Sequence, residues 1–334
     1  MQRKMVVFTE PGKVELQYRE TPPVTGDQVL VKTEYTVVSG GTERAYLMNM
    51  NNTAQKFPTV IGYCGIGTVL QTGEQVTDLV PGDRVLIYHG RHATHALVSR
   101  SRLTKVEDDK LDSLDAVFTV IASMGLGGVR RLELELGETA MVIGLGLLGL
   151  FSVQFCRLSG ANPVIAVDLN PERRALALQL GADYALDPTA PDFKQTVMEL
   201  TGGKGIHGCV EVTGASAAMQ LALSCAARQG RISLLGCTRN SDCSVDYYAQ
   251  VHKPGVKLIG AHNMVRPQVD SYPHCWTHHD DCRAILNLMS SGRLQVSPIR
   301  SRVVSGDCAP DIYKQLMEDK NFPLGTVFDW RDLK

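Results

Sequence analysis

The sequence predicts a two-domain α/β protein in which a β-rich domain is followed by a doubly wound parallel sheet. The chain has 334 residues, and at about 100–200 residues per domain this length allows about two domains. Short apolar runs separated by turn signals occupy residues 1 to 118, and from Thr139 strand and helix patterns alternate. Apolar residues make up 44% of the chain and charged residues 21%, so sizeable cores can form.

The first region consists of short apolar runs bounded by turn dipeptides such as Pro81-Gly82. Many short strands at this spacing predict a small barrel or sandwich. The spacing of apolar residues then becomes helical over Leu111–Leu134. The predicted strands are Lys4–Phe8, Gln28–Thr36, Ile66–Thr72 and Arg84–Tyr88.

The second region alternates strands with helices, and such alternation predicts a parallel sheet covered on both faces. Asn170 caps one helix, with Pro171 at its first position, and Thr277 caps a later helix that ends near Ser291. A further helix is predicted near Asp311–Glu318. The predicted strands and the other helices are Ala140–Ile143, Leu147–Leu158, Pro163–Val167, Cys209–Val212, Ala217–Arg228, Ile232–Leu235 and Lys257–Ile259.

Charge and cysteine usage exclude several classes of partner. The net charge is −1, which offers no basic surface and argues against a nucleic-acid partner. The nine cysteines are odd in number, include no CxxC pair and are scattered through apolar segments, and this scatter is typical of reduced thiols in a cytoplasmic protein. The longest uncharged stretch, Thr139–Cys156, contains three glycines and has charged flanks, so we expect no membrane span there. The apolar run near the N-terminus is too short for a signal peptide.

One glycine motif carries the strongest functional signal. The run Gly144-Leu145-Gly146-Leu147-Leu148-Gly149 follows a buried strand and opens a helix. In such a motif the first glycine permits a tight turn, the second admits a pyrophosphate and the third lets helix and strand pack closely. Leu147 and Leu148 begin the helix, whose N-terminal N–H groups and dipole favour phosphate binding.

An acidic residue decides which dinucleotide we expect. Asp168 ends the next predicted strand, 19 residues after Gly149. A carboxylate at this position accepts hydrogen bonds from the adenosine ribose and repels a 2′-phosphate. The sequence therefore predicts NAD rather than NADP as cofactor. A flavin is disfavoured because the dinucleotide fold follows a long β-rich domain.

The chain resembles the medium-chain dehydrogenase/reductase superfamily over nearly its whole length. The resemblance rests on Gly26-Asp27-Gln28-Val29-Leu30-Val31-Lys32, Gly82-Asp83-Arg84-Val85, Gly137-Glu138-Thr139, the glycine motif with Asp168, and Gly181-Ala182-Asp183. It implies a GroES-like β-barrel domain formed by residues 1–118 and 264–334, and a Rossmann domain formed by residues 119–263. It also implies that Arg173 covers the adenine and that Thr213-Gly214 and Gly236-Cys237 border the ribose and nicotinamide. Relatives pair through the edges of their sheets, so we expect a homodimer or homotetramer.

The sequence departs from the zinc-dependent members at each ligand position. Gly40 stands where the family's zinc cysteine would be, Tyr63 replaces the histidine ligand, and the third ligand falls near Thr119. Glycine has no donor atom, and neutral tyrosine and threonine are poor zinc ligands. No cysteine lies between Gly82 and Asp109, so the structural zinc lobe is missing as well. We therefore expect no zinc at the usual place.

Without a metal, hydrogen bonds and a general acid or base must manage the substrate proton. Tyr63 is the first candidate because the resemblance places it facing the nicotinamide. For Tyr63, as for each of the candidates that follow, a purely structural role remains the alternative. Thr42 matches the hydroxyl of the family's proton relay and Glu43 the acid beside it. His92 is the preferred proton shuttle of the histidine-rich loop, which also holds His89 and His95.

Further polar residues are expected to line a substrate pocket: His89, His262, Asn263 and Trp276. Such a pocket suits a polyhydroxylated alcohol or ketone. A replacement metal site among His89, His92 and His95, or one using His278 and Cys282, stays open as an alternative.

The sequence thus predicts a zinc-independent, NAD-dependent dehydrogenase that acts on a secondary alcohol of a sugar, polyol or cyclitol. Three alternatives remain at this point. They are an NADPH-type quinone or enoyl reductase, a catalytically inactive dinucleotide-binding protein, and a zinc enzyme with relocated ligands.

Overall fold

The computed structural model describes residues 1–53 and 56–333. In chain order its strands are β1 (Gln2–Glu10), β2 (Lys13–Glu20), β3 (Gln28–Val37), β4 (Cys64–Thr72), β5 (Arg84–Tyr88), β6 (His95–Ser99), β7 (Leu103–Lys105), β8 (Ala140–Ile143), β9 (Val164–Val167), β10 (Tyr184–Leu186), β11 (Ile206–Glu211), β12 (Ala226–Leu234), β13 (Lys257–Gly260), β14 (Arg302–Ser305) and β15 (Thr326–Asp329). Its helices are α1 (Gly40–Leu47), α2 (Ser113–Ala116), α3 (Thr119–Arg130), α4 (Leu147–Leu158), α5 (Pro171–Gln179), α6 (Phe193–Leu200), α7 (Ser216–Cys225), α8 (His278–Ser290) and α9 (Ala309–Glu318).

Two compact units make up the chain. The first comprises Met1–Ile121 and the described residues from Cys282 onward, and the second comprises Ala122–Asp281. The sequence placed the second boundary at residue 264, whereas residues 264–281 belong to the second unit. Arg266 holds this segment there, because it donates to the carbonyl oxygen of Ser123 and its guanidinium lies 3.4 Å from the Asp281 carboxylate.

The first unit is built on β-sheet. β1 and β2 form an antiparallel hairpin, and a larger sheet has the order β14-β15-β3-β4-β5-β7, with β6 also paired to β3. β15 pairs antiparallel with β3, so the end of the chain returns to the first domain as the resemblance implies. The apolar side chains of this unit pack into clusters that include Phe8, Tyr313, Phe328 and Trp330.

The second unit is a six-stranded parallel sheet in the order β10-β9-β8-β11-β12-β13. This is the order of a Rossmann fold, in which the strand sequence reverses between its first and fourth strands, here β8 and β11. Ligands of such sheets bind at the carboxyl ends of the strands beside that reversal. The predicted doubly wound sheet is confirmed, and α4 has the bounds that the sequence predicted.

Local signals account for several helix ends. The Asn170 side chain accepts hydrogen bonds from the backbone N–H groups of Glu172 and Arg173, and Pro171 follows it. The predicted helical stretch over Leu111–Leu134 is divided into α2 and α3, and Asp112 caps α2. Across residues 1–53 and 56–333, no helix combines the length and the apolar character that crossing a bilayer requires.

Candidate active site and dinucleotide site

The turn after β8 has room for glycine alone at two of its three motif positions. Gly144 has a φ of 93°, and a Cβ on it would lie 2.6 Å from the Thr213 side chain. A Cβ on Gly149 would lie 1.8 Å from the Gly144 carbonyl oxygen. A Cβ on Gly146 would meet nothing within 4 Å. Gly144 and Gly149 therefore shape the turn, and Gly146 leaves open space at the N-terminus of the helix.

That open space lies where α4 presents its unpaired backbone donors. Gly146 is the N-cap of α4, and Leu147 and Leu148 are its first residues. The first N–H groups of a helix have no partner within the helix and attract anions. The arrangement fits the pyrophosphate of a dinucleotide.

Asp168 follows β9 and is held rigidly beside this turn. One carboxylate oxygen accepts a hydrogen bond from the Leu145 N–H at 2.7 Å, and the other accepts one from the Asn170 N–H at 2.8 Å. Each oxygen keeps a lone pair for a ribose hydroxyl. The next residue, Leu169, is 66% exposed and offers an apolar surface beside the carboxylate that the sequence analysis did not single out.

The two arginines of α5 differ in their availability. Arg174 donates to the carbonyl oxygens of Asp168 and Leu169 and lies 3.1 Å from the Asp187 carboxylate. Within the described residues the Arg173 side chain makes no hydrogen bond or ion pair. Of the two, Arg173 is the arginine without a partner among the described residues, and the expectation that it covers the adenine stays a prediction.

A buried glutamate organises the two turns expected to border the ribose and nicotinamide, the first through its carboxylate and the second through its backbone carbonyl, which accepts from the Gly236 N–H at 2.9 Å. Glu211, 3% exposed, ends β11 and accepts hydrogen bonds from the N–H groups of Thr213 and Gly214 at 2.7 and 3.1 Å. A Cβ on Gly214 would lie 2.6 Å from the Cys237 carbonyl, and one on Gly236 would lie 2.3 Å from the Gly214 nitrogen. The turns are therefore in contact. Glu211 was missed in the sequence, where its signal is an acid at the end of an apolar strand.

In the first unit, Glu43 is fully buried in α1 and receives three hydrogen bonds. One carboxylate oxygen lies 3.1 Å from both the Ser39 N–H and Nε2 of His92, and the other accepts from the Tyr313 hydroxyl at 2.6 Å. Burial, followed by the Glu43 charge, raises the pKa of Tyr313 well above its ordinary value. Tyr313 is therefore a neutral donor to this carboxylate.

His92 lies in the core of the first unit with both ring nitrogens engaged. Its Nδ1 is 2.7 Å from the Thr36 hydroxyl, which also accepts a hydrogen bond from the Trp330 indole N–H at 2.9 Å. Because Trp330 can only donate, the Thr36 proton is free to point at Nδ1, and Nε2–H then donates to Glu43. His92 is 0% exposed, so it contacts the other candidate residues through Glu43.

Tyr63 joins this network through a serine. Its hydroxyl donates to the hydroxyl of Ser39, and Thr42 is also within hydrogen-bonding reach. Burial, the nearby Cys64 thiol and the Glu43 charge raise the pKa of Tyr63 well above its ordinary value, although its hydrogen bonds with Ser39 and Thr42 act in the opposite direction. Tyr63 is therefore a neutral phenol, and Ser39 is a site residue that the sequence analysis missed.

The positions of the expected zinc ligands do not form a zinc site. A Cβ on Gly40 would lie 3.3 Å from the Leu316 side chain, and Thr119 is fully buried with its hydroxyl 3.6 Å from the Met289 sulfur. Within residues 1–53 and 56–333, no group of three or more His, Cys, Asp or Glu side chains could hold a metal ion. The residues present do not fit the zinc that the family implies.

The remaining candidates lie in two places. His89, in the first unit, has its ring 5.9 Å from the Tyr63 ring, and burial together with Arg91 and Arg102 lowers its pKa to about 4. His262 and Trp276, in the second unit, line a cavity of about 10 Å³ that holds roughly one water molecule. Asn263 begins the short 3₁₀ turn that His262 caps.

Comparison with known proteins identifies the family. A family model described as an alcohol dehydrogenase GroES-like domain matches residues 25–131, and one described as a zinc-binding dehydrogenase matches residues 148–273. The chain belongs to the medium-chain dehydrogenase/reductase family. Its similar relatives are named as dehydrogenases of alcohols, threonine and a guloside, so the chain is assigned to the oxidoreductases that act on CH–OH groups and use a nicotinamide dinucleotide.

Individual relatives within the medium-chain dehydrogenase/reductase family are distant. A D-guloside 3-dehydrogenase of Escherichia coli K12 is 26% identical over 273 residues, covering 80% of this chain and 77% of that protein. An alcohol dehydrogenase of Cupriavidus necator is 24% identical over 344 residues, covering 89% and 90%. These names describe the relatives.

Solved structures confirm the fold. A dehydrogenase structure from Sinorhizobium meliloti 1021, bound to NADP, has a TM-score of 0.84 at 21% identity, with 98% of this chain and 99% of that chain covered. Galactitol-1-phosphate dehydrogenase from Escherichia coli has a TM-score of 0.84 at 19% identity over the same shares. At these identities the likeness supports the fold alone.

Proposed function

We propose that this chain is a zinc-independent, NAD-dependent dehydrogenase that interconverts a secondary alcohol of a sugar, polyol or cyclitol and its ketone. The observation that carries the proposal is the set of residues at the zinc positions. Gly40 contributes no donor, Thr119 bonds to a thioether, and Tyr63 is hydrogen-bonded to Ser39. D-guloside 3-dehydrogenase, a relative, supports the sugar-like substrate class.

The second unit supplies the cofactor site. When bound, the dinucleotide accepts or returns the hydride. Gly146, Leu147 and Leu148 would hold its pyrophosphate. Asp168 would bind the ribose diol and Arg173 the adenine. The ribose and nicotinamide at the other end would be bordered by Thr213, Gly214, Gly236 and Cys237. Asp168 favours NAD because a 2′-phosphate would meet a carboxylate already held by two backbone N–H groups.

The first unit supplies the groups that handle the proton. A phenol with a raised pKa remains protonated at neutral pH, so Tyr63 is suited to donate a hydrogen bond to the substrate oxygen and to give its proton to the more basic alkoxide that forms when hydride reaches a ketone. Thr42 and Ser39 lie beside it as hydroxyl relays. Glu43 and His92 hold this part of the unit in place through Ser39, and we assign them to positioning and proton linkage.

Turnover of the metal-free protein tests the proposal. After dialysis against a chelator and elemental analysis, the protein should still reduce NAD⁺ with a polyol or cyclitol. Tyr63→Phe should lower kcat by about 10²-fold, the contribution typical of a general acid, while the exposed Tyr18→Phe leaves kcat unchanged. Activity that disappears on chelation and returns only with Zn²⁺ would exclude the metal-free mechanism.

A further inference from the structure

A basic cluster in the first unit stands beside the proposed proton donor. It comprises His89 and Arg91, in the loop after β5, and Arg102, in the 3₁₀ turn before β7. Burial and Arg102 lower the pKa of Arg91, and only the Tyr46 phenol acts in the opposite direction. No carboxylate is among the groups that act on Arg91, so the cluster carries uncompensated positive charge.

The two guanidinium groups have no acceptor in the described parts of the chain. Within residues 1–53 and 56–333, neither Arg91 nor Arg102 makes a side-chain hydrogen bond or ion pair. Other arginines of the unit do: Arg84 donates to the Leu111 carbonyl, Arg100 pairs with Asp78, and Arg300 pairs with Asp115. Arg91 is partly buried and Arg102 is exposed. A partly buried guanidinium that lacks protein acceptors is unfavourable unless water or a ligand supplies them, so Arg91 carries the main anion-binding role.

The loop that carries Arg91 is fixed to the segment that carries Tyr63. The N–H of His89 donates to the Tyr63 carbonyl at 3.1 Å, and the N–H of Arg91 donates to the Gly62 carbonyl at 3.0 Å. His89 and Arg91 have φ values of 60° and 76°, conformations that non-glycine residues rarely adopt. The imidazole of His89, close to the Tyr63 ring, makes no side-chain hydrogen bond to described residues.

We propose that Arg91, assisted by Arg102, binds an anionic group of the substrate, a phosphate ester or a carboxylate, so that the enzyme acts on an acidic polyol or sugar. Arginine is suited to this role because its planar fork binds both groups in bidentate fashion. His89, neutral near pH 7, would accept or donate a hydrogen bond to an adjacent hydroxyl. This inference rests on the proposed dehydrogenase function and specifies its substrate class.

Matched substrates test the specificity. Formation of NADH is followed with D-glucitol, D-glucitol 6-phosphate and D-gluconate at constant ionic strength, because salt screens charge interactions. We expect kcat/KM to be at least about tenfold higher for an anionic member than for D-glucitol. The phosphate ester and the carboxylate form separate arms, and the preferred one identifies the anion. Equal kcat/KM for all three would overturn the inference.

Variants at position 91 assign the preference to its residue. Arg91→Gln should lower kcat/KM for the anionic substrate by about 10- to 100-fold, and Arg91→Lys should lose less because it keeps the charge. Arginine, glutamine and lysine would all adopt the same positive φ at position 91, so the backbone strain is the same in the wild type and in both variants. Arg293→Gln, at an exposed position of the same unit, is the control and should behave as wild type. A preference unaltered by Arg91→Gln would contradict the assignment.

A binding measurement separates this inference from the proposed function. Inorganic phosphate alone should shift the NMR resonances of the His89 ring and raise its pKa, and Arg91→Gln should abolish both effects. If phosphate shifts the His89 resonances and raises the His89 pKa but no polyol is oxidised, the anion site stands and the dehydrogenase proposal fails. If neutral polyols are oxidised while phosphate leaves His89 unchanged, the anion site fails and the dehydrogenase proposal stands.

Discussion

Gly146 and Gly149 belong to one motif but have opposite surroundings. Gly149 is tied to the fold, because a Cβ there would overlap the Gly144 carbonyl oxygen. Gly146 faces open space, so nothing in the described protein requires glycine there. Space that the protein leaves unfilled at a helix N-terminus is what a phosphate needs. The contrast separates a structural glycine from a ligand-binding one.

We therefore expect Gly146→Ala to lower NADH affinity by at least about tenfold and to change the free energy of unfolding by less than about 1 kcal/mol. Gly149→Ala should lower both the NADH affinity and the free energy of unfolding. The free energy of unfolding should fall by roughly 2 kcal/mol or more, because backbone atoms must move to accept the methyl group. NADH fluorescence titration and urea unfolding measure the two quantities. Gly41→Ala, which also meets open space, is the control for affinity. Wild-type NADH affinity in Gly146→Ala would refute this reading of the turn.

At the scale of elements, a buried charge cluster joins the C-terminal end of α3 to the first turn of α8. The Asp281 carboxylate is fully buried, accepts a hydrogen bond from Arg130 Nε at 2.7 Å and lies 3.4 Å from Arg266. Arg130 also stacks on the Trp276 ring at 3.7 Å. Burial raises the pKa of Asp281 despite the two arginines. The cluster explains why residues 264–281 belong to the second unit.

Asp281→Asn should lower the free energy of unfolding by about 3 kcal/mol, because it leaves two partly buried arginines without their carboxylate. The neighbouring Asp280→Asn keeps an oxygen that can accept from the Thr277 hydroxyl and removes a negative charge from the first turn of α8, so it should cost at most about 1 kcal/mol. Urea unfolding followed by tryptophan fluorescence measures the difference. A loss for Asp281→Asn no larger than that for Asp280→Asn would show that the cluster is not stabilising.

The sequence predicted those elements whose signals are local. Asn170 with Pro171 and Thr277 with Asp280 mark helix starts by contacts within a few residues. The buried network of the first unit could not be predicted in this way, because its partners are distant in sequence. Tyr313 lies 270 residues from Glu43, and Trp330 lies 294 residues from Thr36. Only the fold brings these residues together.

At the scale of the whole molecule, the two units divide the chemistry. The second unit carries the residues that fit a dinucleotide, around the carboxyl ends of β8, β9 and β11. The first unit carries Tyr63, its hydroxyl neighbours and the basic cluster. The three positions at which the family's zinc ligands are expected, Gly40, Tyr63 and Thr119, all lie in the first unit. Cofactor choice and metal dependence can therefore be tested separately.

Binding of the dinucleotide should stabilise the folded chain in a way that reports its choice of cofactor. A ligand that binds only the folded state at 100 times its Kd adds about 2.7 kcal/mol to the free energy of unfolding. We expect this gain from NADH and a much smaller one from NADPH at the same concentration, because the 2′-phosphate would meet the Asp168 carboxylate. Thermal unfolding with each dinucleotide measures it.

Removing the charge of Asp168 should abolish that difference between NADH and NADPH. Asp168→Asn removes the charge while keeping an oxygen for the Leu145 or Asn170 N–H groups, so the Tm gains from NADH and NADPH should converge. Asp187→Asn, which alters an acid that pairs with Arg174 in the same unit, should leave the preference for NADH as in wild type. If NADPH stabilises the wild-type chain as strongly as NADH does, Asp168 does not select the cofactor, and the NADPH-type reductase becomes the better assignment.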